Sequence, residues 1–391
     1  MTSDWKEYKL KDVLRENGYI RGPFGSALKR GELKNSGIPV YEQQHAIYNN
    51  RVFRFFIDDK KYAEMKRFSV ETNDLLISCS GTVGKVTIIK ETDPRGIISQ
   101  ALLTLRADNS IILPLYLKYF FESNEGYNSI ISRSSGSVQV NIAKREVIEN
   151  IPIKLPDLET QRKIARVLGA IDDKIELNNS INKNLEQQAQ AIFKSWFIDF
   201  EPFGGTMPGD WKILKLENVC NISAGGDKPK EVSKIRTDKY SIPVYSNGID
   251  NEGLYGYTIE SKIVKESVTI SARGTIGYTC LRLEPYVPIV RLIAVEPKDN
   301  KISAKYLYHA IKKMNIVGYG TTQQQITVPY CKMLNIIIPA QVYMDKFTTV
   351  ANSIYKIIYE NKKENLCLTQ LRDTLLPKFM NGEIDVDKVE V

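Results

Sequence analysis

The chain carries its own pattern twice, and that duplication sets the outer limits on what it can fold into. Trp5-Lys6-Glu7-Tyr8-Lys9-Leu10 returns as Trp211-Lys212-Ile213-Leu214-Lys215-Leu216, and Ile38-Pro39-Val40-Tyr41 returns unchanged as Ile242-Pro243-Val244-Tyr245. Ile77-Ser78-Cys79-Ser80-Gly81-Thr82-Val83-Gly84 returns as Ile270-Ser271-Ala272-Arg273-Gly274-Thr275-Ile276-Gly277. The spacing between equivalents shrinks along the chain, so the second copy has lost loop residues between shared strands. A unit of about 190 residues is too long for a solenoid repeat. It is a duplicated domain, and a duplicated domain suits a ligand with two separated parts.

Each copy consists of short β-rich runs broken by Gly, Pro and Asn, which predicts an α+β unit with a mostly antiparallel or mixed sheet. Expected strands in the first copy cover 38–41, 75–79, 85–89, 101–106 and 151–155, with a helix over 113–123. In the second they cover 242–245, 267–271, 277–283, 289–295 and 335–339, with a helix over 303–314.

After Pro156 the hydrophobic period changes from two to three and a half. Ile164, Leu168, Ile171, Ile175, Asn178, Asn182, Leu185, Ala189, Ile192 and Trp196 advance in alternating steps of four and three, the seam of a coiled coil. The second copy repeats the stripe as Phe347, Ala351, Ile354, Ile358, Asn361, Asn365, Leu368, Arg372, Leu375 and Phe379. Both stripes place two asparagines near the middle between large apolar residues. Antiparallel pairing about that midpoint sets Asn178 against Asn365, Asn182 against Asn361, Ile175 against Leu368 and Leu185 against Ile358. Buried Asn pairs lower stability but fix register; the alternative is that these amides face solvent at a helix waist. The first stripe rises ~48 Å at 1.5 Å per residue, somewhat above one ~34 Å turn of duplex DNA. The resulting organisation is a first domain over 1–156, a spacer helix over 157–198, a Pro/Gly linker over 199–210, a second domain over 211–339, a C-terminal spacer helix over 340–380 and a tail over 381–391.

Five scattered cysteines, none in a Cys-x-x-Cys pair, argue against a disulfide framework or zinc ribbon and fit a reducing cytoplasm. The two histidines, His45 and His309, leave little for a metal site, and no metal is expected on this chain. No apolar run approaches a membrane span. The net charge of +8 permits nucleic-acid binding without establishing it. Gly81-Thr82-Val83-Gly84-Lys85 imitates a phosphate-binding loop but is too short and lacks the magnesium-holding hydroxyl, so turn chemistry accounts for it better. Asn-Pro-Pro-Tyr, Gly-x-Ser-x-Gly and His-Glu-x-x-His strings are absent, and no catalytic residue is expected.

Reading base edges needs amide or fork-shaped side chains, with basic groups on phosphates. Two regions of each copy have that character. Arg133 precedes Ser134-Ser135-Gly136-Ser137-Val138-Gln139-Val140-Asn141, which matches Tyr319-Gly320-Thr321-Thr322-Gln323-Gln324-Gln325. A helix cap or a loop with solvated amides would look the same. The second region follows the shared Ile-Pro-Val-Tyr string: Gln43 and Gln44 in the first copy, Asn247 in the second. Arg51, Arg54, Lys60, Lys61, Lys66 and Arg67, interleaved with Phe53, Phe55 and Phe56, form a candidate phosphate track; core aromatics under a solvated charged face are the alternative. Lys85, Arg273 and Thr275 on the shared turn complete the candidate DNA contacts.

With these features together, the chain resembles the specificity subunit of type I restriction–modification enzymes. The likeness is carried by Ile151-Pro152-Ile153-Lys154-Leu155-Pro156 with Glu159-Thr160-Gln161-Arg162-Lys163-Ile164-Ala165, and by Phe197-Ile198-Asp199-Phe200-Glu201-Pro202-Phe203. It continues through the Ser271 to Gly277 string and Leu375-Leu376-Pro377-Lys378-Phe379-Met380-Asn381-Gly382-Glu383-Ile384. The resemblance spans nearly the whole chain. It implies two tandem α/β target recognition domains, separated by two long helices that pair as an antiparallel coiled coil. Each domain would read one half of a split site in double-stranded DNA, and the helices would set the gap. They would also dock two modification subunits, which supply S-adenosylmethionine and methylate adenine. Restriction subunits using ATP and Mg would join that complex. Two departures stand out: Ala340-Gln341-Val342-Tyr343 replaces the Glu-Thr-Gln-Arg string, and Arg372 stands where the first seam has Ala189. No base-reading residue carries over, because those loops vary with target. A duplicated nuclease or methyltransferase, or a scaffold that does not read sequence, are the competing classes.

Overall fold

The computed structural model describes residues 5–24, 27–134, 141–299, 301–314, 316–318 and 324–388. The chain divides into two compact units, residues 1–176 with 365–391 and residues 177–364. Each unit therefore takes one half of each long helix.

Among the described residues the first unit contains nine strands: β1 (Lys6–Lys9), β2 (Leu14–Arg21), β3 (Ile38–Tyr41), β4 (Phe56–Ile57), β5 (Leu75–Ser78), β6 (Val86–Ile88), β7 (Ile97–Ile98), β8 (Leu102–Ala107) and β9 (Pro152–Leu155). They form an antiparallel sheet ordered β2-β8-β5-β6, a mixed sheet β4-β3-β7 and the pair β1-β9. Leu75, Leu76 and Ile77 on β5 are all fully buried, because both faces of the sheet are covered, so the strand reads as a continuous apolar run rather than an alternating one. The helix Pro114–Glu122 starts with proline in its first turn, where no intrahelical N–H is needed. It packs Tyr116, Leu117, Phe120 and Phe121 into the core.

The second unit repeats the arrangement with β10 (Lys212–Lys215), β11 (Cys220–Ala224), β12 (Ile242–Tyr245), β13 (Leu254–Thr258), β14 (Ser267–Ser271), β15 (Thr279–Arg282), β16 (Val287–Pro288), β17 (Leu292–Pro297) and β18 (Asn335–Ile338). Its sheets run β11-β17-β14-β15, β13-β12-β16 and β10-β18, strand for strand as in the first unit. The helix Ala304–Lys313 is capped by Ser303, whose hydroxyl accepts from the Tyr306 N–H.

Several strands depart from expectation for local reasons. β1 and β10 carry mostly exposed side chains, so the repeated Trp-Lys string shows no alternation although it forms a strand. β2 is interrupted by a register shift between Leu14 and Tyr19, with Asn17 left-handed at φ 57°. That bulge makes Asn17-Gly18 read as a turn. The strand expected over 289–295 begins only at Leu292, because Arg291 at φ 74° breaks the run and leaves Val287–Pro288 to a different sheet.

The central helix runs Leu158–Phe197 and the C-terminal helix Gln341–Met380. Asp157 caps the first through the backbone N–H groups of Glu159 and Thr160. In the first unit Ile164, Val167 and Leu168 share a core with Leu376, Phe379 and Met380, and Leu375 packs against it. In the second, Ala189, Phe193 and Phe197 share one with Phe347, Ala351, Ile354 and Ile358, and Leu185, Ile192 and Trp196 pack against it. The start of each helix thus meets the end of the other, the antiparallel pairing that the seam predicts. Ile171 is also buried, while Ile175, Asn365 and Leu368 are half-buried. Asn361 donates to Asn182 Oδ1 at 2.9 Å, as expected. Asn178, 1 % exposed, donates to Glu364 at 2.7 Å, the residue before the one anticipated. A carboxylate is the stronger acceptor for a buried amide N–H.

Arg372 is accommodated by charge rather than packing. Its guanidinium reaches Asp172 at 3.0 Å, and Asp172 also receives Lys118 at 2.9 Å and the Tyr119 hydroxyl at 2.8 Å. Burial pushes the Asp172 carboxyl up, but the Lys118 charge and these bonds outweigh it and hold the group below its usual range.

Candidate nucleic-acid interface

Three loops meet at the same place in each unit. The first follows the Ile-Pro-Val-Tyr strand. In the first unit it becomes a short helix, Gln43–Ile47, pinned by the fully buried His45, whose ring nitrogens engage Glu42 and the Val52 carbonyl. Gln44 is spent on Glu42 and Val52. Gln43 differs: its Oε1 is buried without a hydrogen-bond partner among the described residues, an unusual cost for an amide.

The second loop is the repeated turn. Gly81 and Gly84 have φ of 67° and 83°, and Gly274 and Gly277 have 73° and 80°, which explains why glycine recurs at both places. Lys85 lies 5.0 Å from the Tyr127 ring, so it sits over an aromatic face beside the turn. The third loop is the end of the Gln/Asn-rich segment. Ile142 N–H donates to the Cys79 carbonyl at 2.9 Å, and Ile326 N–H donates to Ala272 at 3.0 Å. Those bonds seat Asn141 beside Ser80, and Gln325 beside Arg273. Ser80 Oγ donates to Asn141 Oδ1 at 2.8 Å, and Arg273 Nε donates to Gln325 Oε1 at 2.7 Å. Asn247, the counterpart of Gln43, donates to the Arg273 carbonyl at 3.0 Å, and its own carbonyl accepts from Thr275 at 3.1 Å. Gln324 is exposed next to this cluster.

In the first unit these loops line an open groove of about 1020 Å³ that holds Gln43, Ser80, Gln100 and Asn141 together with Arg21, Arg67, Lys144 and Arg145. Arg67 and Lys144 are exposed, and neither makes an ion pair among the described residues. Phe24 lies at the groove, 62 % exposed, with Arg21 5.6 Å from its ring. Arg145 pairs with Glu149 at 2.7 Å and Arg21 donates to the Leu102 carbonyl at 3.2 Å, so Arg67 and Lys144 are the cations best placed for phosphates. Amides, hydroxyls and such cations around one concavity are the chemistry that reads base edges and neutralises phosphates.

Other anticipated contacts are placed differently. Arg51 is tied to Asp93 at 2.8 Å and to the Ile88 carbonyl at 3.0 Å, and Arg54 grips both oxygens of Glu42 at 2.6 and 2.8 Å. Lys61 pairs with Glu32 at 2.9 Å. Of the anticipated phosphate track, Arg51, Arg54 and Lys61 thus have intramolecular partners, and Arg67 lines the groove. Arg133 donates to the Ser129 carbonyl at 2.8 Å. Ser135, Gly136, Gln139, Tyr319, Thr321, Thr322 and Gln323 lie outside the described residues. Sequence reasoning missed Arg21, Lys144 and Arg145. The last two directly follow the Gln/Asn-rich segment, and extending that segment by four residues would have found them.

Among the described residues no group of His, Cys, Asp or Glu side chains is arranged to hold a metal ion. No described helix is long and apolar enough to cross a membrane.

Comparison with known proteins supplies the family. The family model described as "Type I restriction modification DNA specificity domain" matches residues 2–187 and again 208–364. The chain is 24 % identical to the specificity subunit of the type I restriction enzyme HindI from Haemophilus influenzae, over 98 % of this chain and all of that protein. It is also 24 % identical to the MjaIX specificity subunit from Methanocaldococcus jannaschii, over 99 % of this chain and 95 % of that one. Among solved structures, the S subunit of a type I restriction–modification system from M. genitalium shares the fold, with a TM-score of 0.60 at 17 % identity and 96 % coverage of both chains. With two matched copies spanning most of its length, the chain belongs to the type I restriction modification DNA specificity family.

Proposed function

We propose that this chain is the non-catalytic sequence-recognition subunit of a type I restriction–modification complex, in which each unit reads one half of a bipartite DNA site. One observation carries the reading. Structurally equivalent positions, Gln43 and Asn247, Ser80 and Arg273, Asn141 and Gln325, converge in both units on one scaffold while their side chains differ. A shared frame bearing different polar groups suits two half-sites of different sequence. The paired helices set the gap and offer docking surfaces for two modification subunits. S-adenosylmethionine, ATP and Mg belong to the modification and restriction subunits in this reading, and the complex works in the cytoplasm.

The test is methylated-base sequencing of DNA from cells expressing the chain with its modification subunit. A split motif that disappears when the chain is deleted is the expected result. An active modification subunit that yields no split motif would leave a scaffold as the better account.

A further inference from the structure

We infer that the second unit reads a guanine through Arg273, with Gln325 as its positioning residue, and that the first unit has no counterpart. The inference rests on the DNA-reading function above and goes beyond it, because it assigns a base to a side chain.

Arg273 is fixed at both ends of its backbone-to-tip path. Its carbonyl accepts from the Asn247 side chain at 3.0 Å, and the left-handed glycines at 274 and 277 set the turn it stands on. Thr275 closes the same turn onto the Asn247 carbonyl at 3.1 Å. At the tip, Nε donates to Gln325 Oε1 at 2.7 Å, and Gln325 is itself held by the bond from Ile326 N–H to Ala272 at 3.0 Å. The side chain is half-exposed, and its two terminal amino groups have no partner among the described residues.

An arginine locked through Nε presents those amino groups as a flat pair of donors. Preorganisation lowers the entropy cost of the contact. In the major groove guanine offers two acceptors, O6 and N7, in the matching arrangement. Adenine offers N7 but sets an amino donor where O6 would be, so one Arg donor would face another donor. The fork therefore selects guanine. At the equivalent position of the first unit stands Ser80, whose single hydroxyl donates to Asn141 at 2.8 Å and offers no pair of donors to match O6 and N7. The asymmetry predicts that guanine recognition of this kind occurs in one half-site only.

The experiment uses the chain complexed with its modification subunits and duplex oligonucleotides carrying the split motif found by methylated-base sequencing. Each guanine in turn is replaced by 7-deazaguanine, which lacks the N7 acceptor, and affinity is measured by fluorescence anisotropy. One guanine, in one half-site, should cost the wild-type complex roughly 5- to 150-fold, the discrimination of a bidentate pair. Arg273→Ser, which installs the side chain of the first unit, should bind both duplexes equally. Gln325→Leu should lose the same preference, and Gln325→Glu, which keeps the acceptor, should retain it. The wild-type substitution series needs no variant to fold.

No N7-sensitive guanine, or the same sensitivity in Arg273→Ser, would overturn the inference while leaving the recognition function standing. A reduced salt slope in Arg273→Ser, with no guanine of the wild-type site sensitive to N7 removal, would place Arg273 on a phosphate and overturn it equally. A wild-type complex with no split motif would remove the recognition function and this inference with it.

Discussion

A cation's neighbours decide whether it serves the fold or a ligand. Arg51 has Asp93 and two backbone carbonyls, whereas Arg67 and Lys144 have no ion partner among the described residues. Arg51→Ala should therefore cost about 2 kcal/mol of stability in urea unfolding, since Asp93 would be left with a poorly compensated buried charge. Arg67→Ala and Lys144→Ala should leave the melting temperature unchanged. Each should weaken binding to every DNA sequence and reduce the slope of log K against log salt by about one. His309 makes the opposite kind of residue-scale prediction. It is 2 % exposed, accepts or donates at 2.8 Å with the Tyr355 hydroxyl, and stacks on Phe193. Burial lowers its pKa from 6.5 to about 4. Between those values the unfolded chain binds the extra proton, so stability is full above pH 6.5 and falls as pH drops toward 4. The contribution amounts to about 3 kcal/mol, and His309→Gln should remove that part of the acid sensitivity while leaving the rest. The polar residues flagged at repeat-matched positions (Gln43, Asn141, Arg273 and Gln325) were legible because the duplication aligned them. Arg21 was not, because a lone arginine at the end of a bulged strand carries no periodic signal.

At the level of elements, hydrophobic spacing located both long helices and their seam, since little besides paired helices sustains a regular period of three and a half over many turns. It did not reveal that Phe193 and Phe197, outside the seam positions, are buried in the second unit's core, where they meet Tyr306 at 5.3 and 5.0 Å and Phe347 at 5.8 and 5.4 Å. A helix packed on two sides buries two stripes, and the weaker one is hidden when only the seam is followed. Strands were less legible where both faces are exposed, as in β1 and β10, or where left-handed residues interrupt them, as at Asn17 and Arg291. The Asn361 to Asn182 bond predicts a non-additive pair. Asn361→Leu alone leaves the Asn182 amide without this partner and should cost about 1 kcal/mol in thermal unfolding, whereas replacing both by Leu should be neutral or stabilising. Equal losses in the single and double variants would show that the amides do not act as a pair.

For the whole molecule, the central proposition is that reading and spacing are separate: loops read, helices measure. Each long helix contributes one half to each unit, so lengthening both helices together leaves each unit's own contacts in place. One heptad adds about 10 Å of helix at 1.5 Å per residue, equivalent to about three base pairs at 3.4 Å. The most direct measurement is methylated-base sequencing of cells expressing the wild-type chain and a variant with one heptad inserted in both helices at the boundary between the units. The account predicts the same two half-sites in both, separated in the variant by a gap longer by about three base pairs. An unchanged gap, or half-sites whose sequences change with helix length, would contradict it.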